Sequence, residues 1–319
     1  MSVPAAANAP KVINKPKKKM GLGRYLYEYW PLYLLVAPAI IYYAIFAYGP
    51  MYGAQIAFKQ YRAKLAVTGS EWIGLKHFIR FVNDPFFWIL LKNTLTLSIY
   101  SLIAGFPVPL ILAFMINEVT NKPYQKTIQM ITYAPHFLSE VVVCGMIAMF
   151  FAIDRGIVNI AITAMGGEQR EWLVIPAVFK HFYVWSGVWK GAGWGTIIYL
   201  ASLASVDQEV VEAAVIDGAT KIQRIWYIDF PTIKPTIVIN LLLSLGGILG
   251  TSSEKIILLQ REPTIMASET YASYLYNQGI MNGSYDYTSA AGMFQSIVNF
   301  ILLSFFNWIS NKLGEASLW

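Results

Sequence analysis

Long runs without a formal charge dominate this chain of 319 residues. Tyr29–Phe58, Asn93–Asn117, Pro235–Ser253 and Tyr287–Asn311 contain no Asp, Glu, Lys or Arg. A helix crosses the hydrocarbon core of a bilayer with about 20 predominantly apolar residues, so each run is long enough or nearly so. Two further stretches reach that length with one internal charge each: Thr127–Ile153 around Glu140, and Phe182–Val206 around Lys190. In hydrocarbon every backbone polar group must be satisfied inside the segment, which leaves helices as the solution for runs of this length. The expected fold class is therefore all-α: a polytopic membrane protein with six transmembrane helices. The expected spans are about 31–53, 90–116, 127–152, 180–204, 233–253 and 287–311, with a polar loop, 205–232, between the fourth and fifth. Residues 1–28 form a basic amino-terminal tail and 314–319 a short carboxyl-terminal one. Pro38, Pro107, Pro109 and Pro135 fall inside spans, where neighbouring helices can satisfy the carbonyls a proline frees.

Composition agrees: 56% hydrophobic and 13% charged residues lie far from a soluble domain. The one cysteine, Cys144, excludes an internal disulfide framework, and no paired Cys/His spacing points to zinc. It reads as a small packed residue of an apolar helix. The first apolar run is too long for a cleavable signal peptide, and no small-residue cleavage pattern follows Tyr48-Gly49-Pro50. Lys11, Lys15, Lys17, Lys18, Lys19 and Arg24 precede any acidic residue, so the positive-inside rule places the amino terminus in the cytoplasm. With six spans, the 117–126 and 207–234 loops and the carboxyl terminus are then cytoplasmic, and 54–88, 154–181 and 254–286 face outward.

The 205–232 loop has its own local logic. Ser205-Val206-Asp207-Gln208 has capping-box spacing, so Ser205 is the expected cap of a helix carrying Asp207, Glu209 and Glu212 in its first turns. Ala213 and Ala214 leave a thin face that another backbone can approach. Gly218 suits the left-handed residue at a helix end. Thr220 can cap a second short helix in which Ile222, Ile225 and Trp226 share one side, until Pro231 stops it. Two short helices joined at a glycine make a rigid knob at the membrane surface.

Glu212-Ala213-Ala214, three residues, Gly218, nine residues, Ile228, one residue, then Phe230-Pro231 is a spacing that resembles the cytoplasmic coupling loop of permease subunits in ATP-driven bacterial importers. That family usually has Leu where this chain has Phe230. Gly74-Leu75-Lys76-His77-Phe78, Asn83-Asp84-Pro85-Phe86-Phe87-Trp88 and Asn93-Thr94-Leu95 look like the segment before the second span in sugar permeases of the maltose-transporter type. Pro135-His136-Phe137 and Gly156-Ile157-Val158-Asn159 are similar to landmarks of their third span, and Trp189-Lys190-Gly191 to their fourth. Tyr287-Thr288-Ser289-Ala290 and Ser317-Leu318-Trp319 look like the polysaccharide branch, which includes permeases for alginate and rhamnogalacturonan-derived oligosaccharides. Gln260-Arg261-Glu262-Pro263-Thr264 stands where simple-sugar permeases often have Gly-Gly-Pro, which favours that branch over maltose.

The resemblance implies a type I importer working by alternating access. Its other parts are a second homologous permease, two ATPase subunits that hold ATP and Mg, and an extracytoplasmic solute-binding protein. It also implies ATPase-coupling roles for Glu212, Ala213, Ala214, Asp217, Gly218 and Pro231, and residence in the bacterial cytoplasmic membrane. This chain has no P-loop signature, so the energy source is another subunit or an ion gradient, and no cofactor or catalytic residue is expected on the chain itself. Gly191-Ala192-Gly193-Trp194-Gly195 follows no strand and reads as close helix packing rather than a dinucleotide site.

Sugar sites use aromatic faces and side-chain amides or charges, so Trp185, Trp189, Trp194, Tyr199, Asn240, Gln295 and Asn299 are eligible for the substrate path, against lipid-facing or packing roles. Glu140 and Lys190 fall near mid-depth of the expected third and fourth spans. They read as a structural ion pair or, alternatively, as sugar contacts. His77, His136 and His181 lie near span ends and are expected to bond backbone or water. A non-sugar permease, an ion-coupled carrier and a membrane enzyme are the competing classes. A carrier would need several intramembrane carboxylates where only Glu140 qualifies, and no clustered nucleophile and base is visible.

Overall fold

The computed structural model describes residues 22–318. The tail lysines Lys11 to Lys19 and Trp319 lie outside the described residues. The chain divides into two compact units, Met1–Ala54 and Gln55–Trp319. In the first, helix α1 (Leu22–Tyr43) begins inside the expected tail, kinks at Tyr29 just before Pro31, and passes into a π turn at Ala44–Tyr48.

The second unit holds α2 (Lys76–Val82), α3 (Phe87–Gly105), α4 (Pro107–Asn117), α5 (Lys122–Tyr133), α6 (Glu140–Phe150), α7 (Ile157–Ala164) and α8 (Pro176–Leu203). After these come α9 (Gln208–Ile216), α10 (Lys221–Arg224), α11 (Phe230–Gly246), α12 (Ser253–Leu259), α13 (Tyr271–Tyr276) and α14 (Tyr285–Lys312). The only strands among the described residues are Lys59–Gln60 and Glu71–Trp72, paired antiparallel. The fold is all-α.

Four helical stretches are long and apolar enough to cross a membrane: Tyr25–Phe58, Phe87–Asn117, Lys221–Gly246 and Tyr285–Lys312. The expected third span is not one helix. Lys122–Phe137 and Glu140–Phe150 meet at 94°, and the pair counts as a fifth crossing only if both halves form one span. Pro135 removes a donor, Leu138 and Ser139 are extended, and the Ser139 hydroxyl accepts from the Val142 N–H, so a new helix starts there. Glu140 thus opens a helix instead of sitting in the middle of one. Helix α8, the expected fourth span, has 28 residues and reaches about 42 Å, but it carries Lys180, His181 and Lys190 and is not among the stretches apolar enough to cross, so the structure shows four or five of the six expected spans.

Three details explain how these helices pack. A Cβ on Gly193 would lie 2.0 Å from the Thr132 carbonyl oxygen, and one on Gly195 would lie 2.9 Å from the Pro109 ring. The glycine run therefore lets α8 press against α5 and α4, as small residues do between membrane helices. The Asp84 carboxylate accepts both the Tyr274 and Tyr287 hydroxyls at 3.0 Å, tying the α2–α3 turn to α13 and α14 beside the aromatic cluster of Phe81, Phe87 and Tyr271. Fully buried Asn159 donates to the Ala152 and Arg170 carbonyls and accepts from the Arg170 N–H and the Trp172 indole. It pins the segment between α6 and α8, next to Gly156, where a Cβ would meet the Ala152 oxygen at 2.4 Å.

Helix α11 ends at Gly246, short of the expected 253. The Leu249 N–H beyond it donates to Asn299 Oδ1 at 3.3 Å, and Gln295 Nε2 donates to the Leu249 carbonyl at 2.7 Å. Side chains of α14 thereby satisfy backbone that the helix no longer does. At the other end of α14, Leu318 N–H donates to Asn307 Oδ1 at 2.7 Å and Ser310 donates to the Ala316 carbonyl, so residues up to 318 fold back on the helix.

Candidate coupling surface and translocation cleft

Helix α9 is capped by Asp207, whose carboxylate accepts the Glu209 N–H at 2.9 Å. Ser205, the expected cap, instead donates to the Ser202 carbonyl in the preceding turn. Asp207 wins because its ψ of 117° is extended and its charge meets the positive end of the helix. Gly218 has φ +81°, the left-handed conformation expected at this helix end. Thr220 then caps α10 in a full capping box with Gln223.

Pro231 does not stop the second helix. The chain runs from Lys221 to Gly246 as one apolar helical stretch, with a π turn at Ile225–Asp229 just before the proline. The widened turn bonds the Phe230 N–H back to the Ile225 carbonyl and gives the proline ring room. A π turn likewise precedes Pro50 in the first unit. Ile225 does not share a side with Ile222 and Trp226. It packs inward with Val211, Ile228 and Phe230 on a core of Phe114, Tyr199, Leu203, Val206, Ile233 and Ile237. Ile222 is 79% exposed and Ile216 86%, and Val215, Trp226 and Tyr227 are also exposed. The loop thus has an apolar inner face seated on the helix core and an apolar outer face that is exposed among the described residues. Between them a hollow of about 310 Å³ is lined by Ala214, Asp217, Gly218 and Tyr227. Glu212, Ala213 and Pro231 are exposed and do not line it.

Electrostatics fixes the loop to the rest of the chain. Arg224 donates to Glu118 at 3.0 Å, and Lys221 lies 3.7 Å from the same carboxylate. Glu118 follows α4, so the contact joins the loop to the end of the second apolar stretch. Glu118→Gln should leave Arg224 without its charged acceptor, a loss of about 1.5–3 kcal/mol for the local tie. The expected result is a lower melting temperature. An unchanged melting temperature in Glu118→Gln and in Arg224→Gln alike would show that the tie does not stabilise the loop.

Away from the loop, a cleft of about 420 Å³ opens between α3, α4, α8 and α11, lined by Ser98, Ser101, Tyr199, Asn240, Ser244 and Thr251 among others. A second cavity of about 360 Å³ shares Ser101, Gly105, Pro109 and Tyr183 with it and adds Glu140, Gly187, Ser252 and Lys255. Lys190 and Glu140 meet at 2.7 Å, with side chains 16% and 24% exposed. Glu140 Oε2 is buried without a hydrogen-bond partner among the described residues.

Of the residues eligible for a substrate path, Tyr199, Asn240 and Glu140 reach these cavities, and Lys190 does so through Glu140. Gln295 and Asn299 are spent on the Leu249 backbone. Trp185 donates to the Tyr100 hydroxyl at 2.8 Å and lines a separate apolar pocket with Trp189. Trp194 stacks on His136 with ring centroids 4.4 Å apart. None of the three tryptophans lines either cavity. His181 contacts the Tyr100 hydroxyl, and His77 bonds the Lys59 carbonyl beside Asp286. Sequence reasoning missed Lys255, which is 4% exposed and sits over the Tyr183 ring at 4.9 Å. Burial pulls its pKa below the ordinary lysine value, and the nearby Glu140 charge opposes that pull.

Residues 105–315 match the family described as binding-protein-dependent transport system inner membrane component. The chain belongs to this family. It is 39% identical to the polygalacturonan/rhamnogalacturonan transport system permease protein YteP of Bacillus subtilis (strain 168), over 99% of both chains. Its identity to the protein LplB of the same organism is also 39%, again over 99% of each. A bacterial ABC transporter involved in the import of the acidic polysaccharide alginate has a chain that superposes with TM-score 0.83 at 39% identity. That match covers 91% of this chain and 98% of the other. The same transporter type in complex with an alginate pentasaccharide-bound periplasmic protein gives TM-score 0.84 at 38% identity, covering 93% and 99%. This permease therefore has the type I importer fold, and the matched residues 105–315 contain the loop and most of the cleft, with Ser98 and Ser101 just before them.

Proposed function

We propose that this permease is one of two homologous membrane subunits that import acidic oligosaccharide fragments of polysaccharides at the expense of ATP. The observation that carries the substrate class is the near full-length likeness to a polygalacturonan/rhamnogalacturonan permease. Partner ATPase subunits bind ATP and Mg, and this chain hydrolyses nothing. An extracytoplasmic binding protein delivers the sugar to the cleft between α3, α4, α8 and α11. The α9–Gly218–α10 knob docks in a cleft of one ATPase through Val215, Ile216, Ile222 and Tyr227, with Glu212 and Asp217 at its rim. Its inner face sits on the core beneath the cleft, so a rigid-body displacement of the knob moves the wall that carries Tyr199 and Asn240. ATPase closure opens the permease pair outward, and hydrolysis returns it inward.

Cells that lack the gene should fail to take up labelled galacturonate oligosaccharide, and expression of the chain with its partners should restore uptake. Restoration only for a neutral sugar or a peptide would overturn the substrate assignment.

Both termini and the knob are placed in the cytoplasm. In a Cys144→Ala background, Glu71→Cys and Asn282→Cys, at exposed positions, should react with an impermeant thiol reagent from outside intact cells. Ile222→Cys should react only after permeabilisation. The reverse pattern would invert the topology.

A further inference from the structure

Lys255 is an uncommon residue for its position: a buried ammonium on a membrane permease, aimed at a cavity that joins the main cleft. It follows the extended backbone after α11, where the Ser252 N–H donates to the Tyr183 hydroxyl at 3.0 Å and the Ser252 hydroxyl accepts from the Lys255 N–H. Its Nζ lies over the Tyr183 ring and against Gly187, where an added Cβ would stand 3.2 Å away. Among the described residues no carboxylate comes within 4.0 Å of it. Glu140, which lines the same cavity, already holds Lys190 at 2.7 Å. Glu140 and Lys255 line the same cavity, but the Glu140 charge is already balanced by Lys190, which leaves the Lys255 charge without a counter-charge of its own in a poorly hydrated place. A buried cation is costly unless paired, and the ring face of Tyr183 compensates only in part. The Oε2 atom of Glu140, another lining residue of this cavity, is buried without a hydrogen-bond partner among the described residues.

We infer that Lys255 is a carboxylate-binding station on the translocation path, selecting uronate-containing oligosaccharides over neutral ones. The sugar carboxylate meets the Lys255 ammonium, and a hydroxyl of the same ring donates to Glu140 Oε2. The Lys190–Glu140 bond holds that acceptor in place. The inference rests on the acidic-oligosaccharide reading above and names the residue that enforces it.

The test uses the complete transporter in proteoliposomes, with its binding protein, a galacturonate trisaccharide and the methyl ester of that trisaccharide. Binding-protein affinity for each sugar is measured separately, so differences in uptake belong to the membrane part. Lys255→Gln should lower acid uptake at sub-saturating concentration by ~10–100-fold, the range for losing a charge-assisted hydrogen bond, and leave ester uptake near the wild-type level. Lys255→Arg should retain most of the preference for the acid. Gly187→Ala, which displaces the ammonium without removing it, should give a smaller loss of the same sign. An equal fall for acid and ester in Lys255→Gln would make the lysine a structural residue, and no fall for either would remove it from the path. If the wild type itself takes up the ester and not the acid, or neither, the acidic-oligosaccharide reading fails, and this inference with it.

Discussion

Glu140→Gln should destabilise the assembled transporter more than Lys190→Met, although the two residues form a single ion pair. Removing the carboxylate leaves Lys190 without its partner and takes away the one negative charge lining the cavity of Lys255. Removing Lys190 still leaves Glu140 with the Lys255 ammonium nearby. Breaking a buried pair typically costs about 3–5 kcal/mol. Side-chain exposures of 16% and 24% mean that solvent screens part of this, so the lower end applies. The Glu140→Gln/Lys190→Met double variant should recover much of the loss. Thermal unfolding followed by size-exclusion chromatography of the assembled complex measures it. If both single variants assemble like wild type while uptake shows weaker apparent affinity, the pair has no structural role and the two side chains contact substrate directly. A double variant no better than the worse single one would mean that they act independently.

Gly218→Val is expected to uncouple ATP hydrolysis from transport without unfolding the protein. A Cβ at Gly218 meets nothing within 4 Å, so the cost is conformational and not steric. At φ +81° an L-residue costs ~1–2 kcal/mol and a β-branched one sits at the upper end, which lowers the equilibrium constant for the native turn by ~5–30-fold. A larger share of molecules then presents α9 and α10 at the wrong angle. Substrate-stimulated ATP hydrolysis should fall while the binding protein keeps its affinity. Gly218→Asn, which tolerates the left-handed region better, should lie between valine and wild type. Full stimulation in Gly218→Val would remove this turn from the coupling path.

Local chemistry made part of this legible in the sequence. The conformation of Gly218 and the capping role of Thr220 depend on neighbours within three residues, and both are found as expected. The cap of α9 was harder to place, because Ser205 and Asp207 both satisfy the local rule and the backbone decides between them. Pro231 shows where a local rule yields to packing. Ile225, Ile228 and Phe230 are held on the helix core, so the helix absorbs the proline with a π turn rather than ending. An apolar run also says nothing about where its helix breaks. Pro235–Ser253 is uniformly charge-free, but α11 ends at Gly246 because Gln295 and Asn299, distant in sequence, satisfy the backbone beyond it. Of the seven polar and aromatic residues proposed for the path besides the Glu140–Lys190 pair, Tyr199 and Asn240 reach the cleft. Which face of α8 a tryptophan occupies depends on neighbours that a single sequence does not reveal. Lys255 was missed for a similar reason, since it lies in a segment read as an outer loop. The sequence signal was the run Ile256-Ile257-Leu258-Leu259 directly after it, whose Ile256 and Leu259 are buried and carry the lysine inward.

If motion of partner ATPases, passed through the α9–Gly218–α10 knob, drives an oligosaccharide through this permease, transport and hydrolysis must run together. Proteoliposomes containing the whole transporter and its loaded binding protein allow labelled galacturonate oligosaccharide and phosphate release to be followed at once. Uptake should require ATP, rise in step with hydrolysis and be unaffected by protonophores or sodium ionophores. Accumulation without ATP that collapses when an ion gradient is dissipated would show that an ion gradient, and not the ATPases, drives the permease.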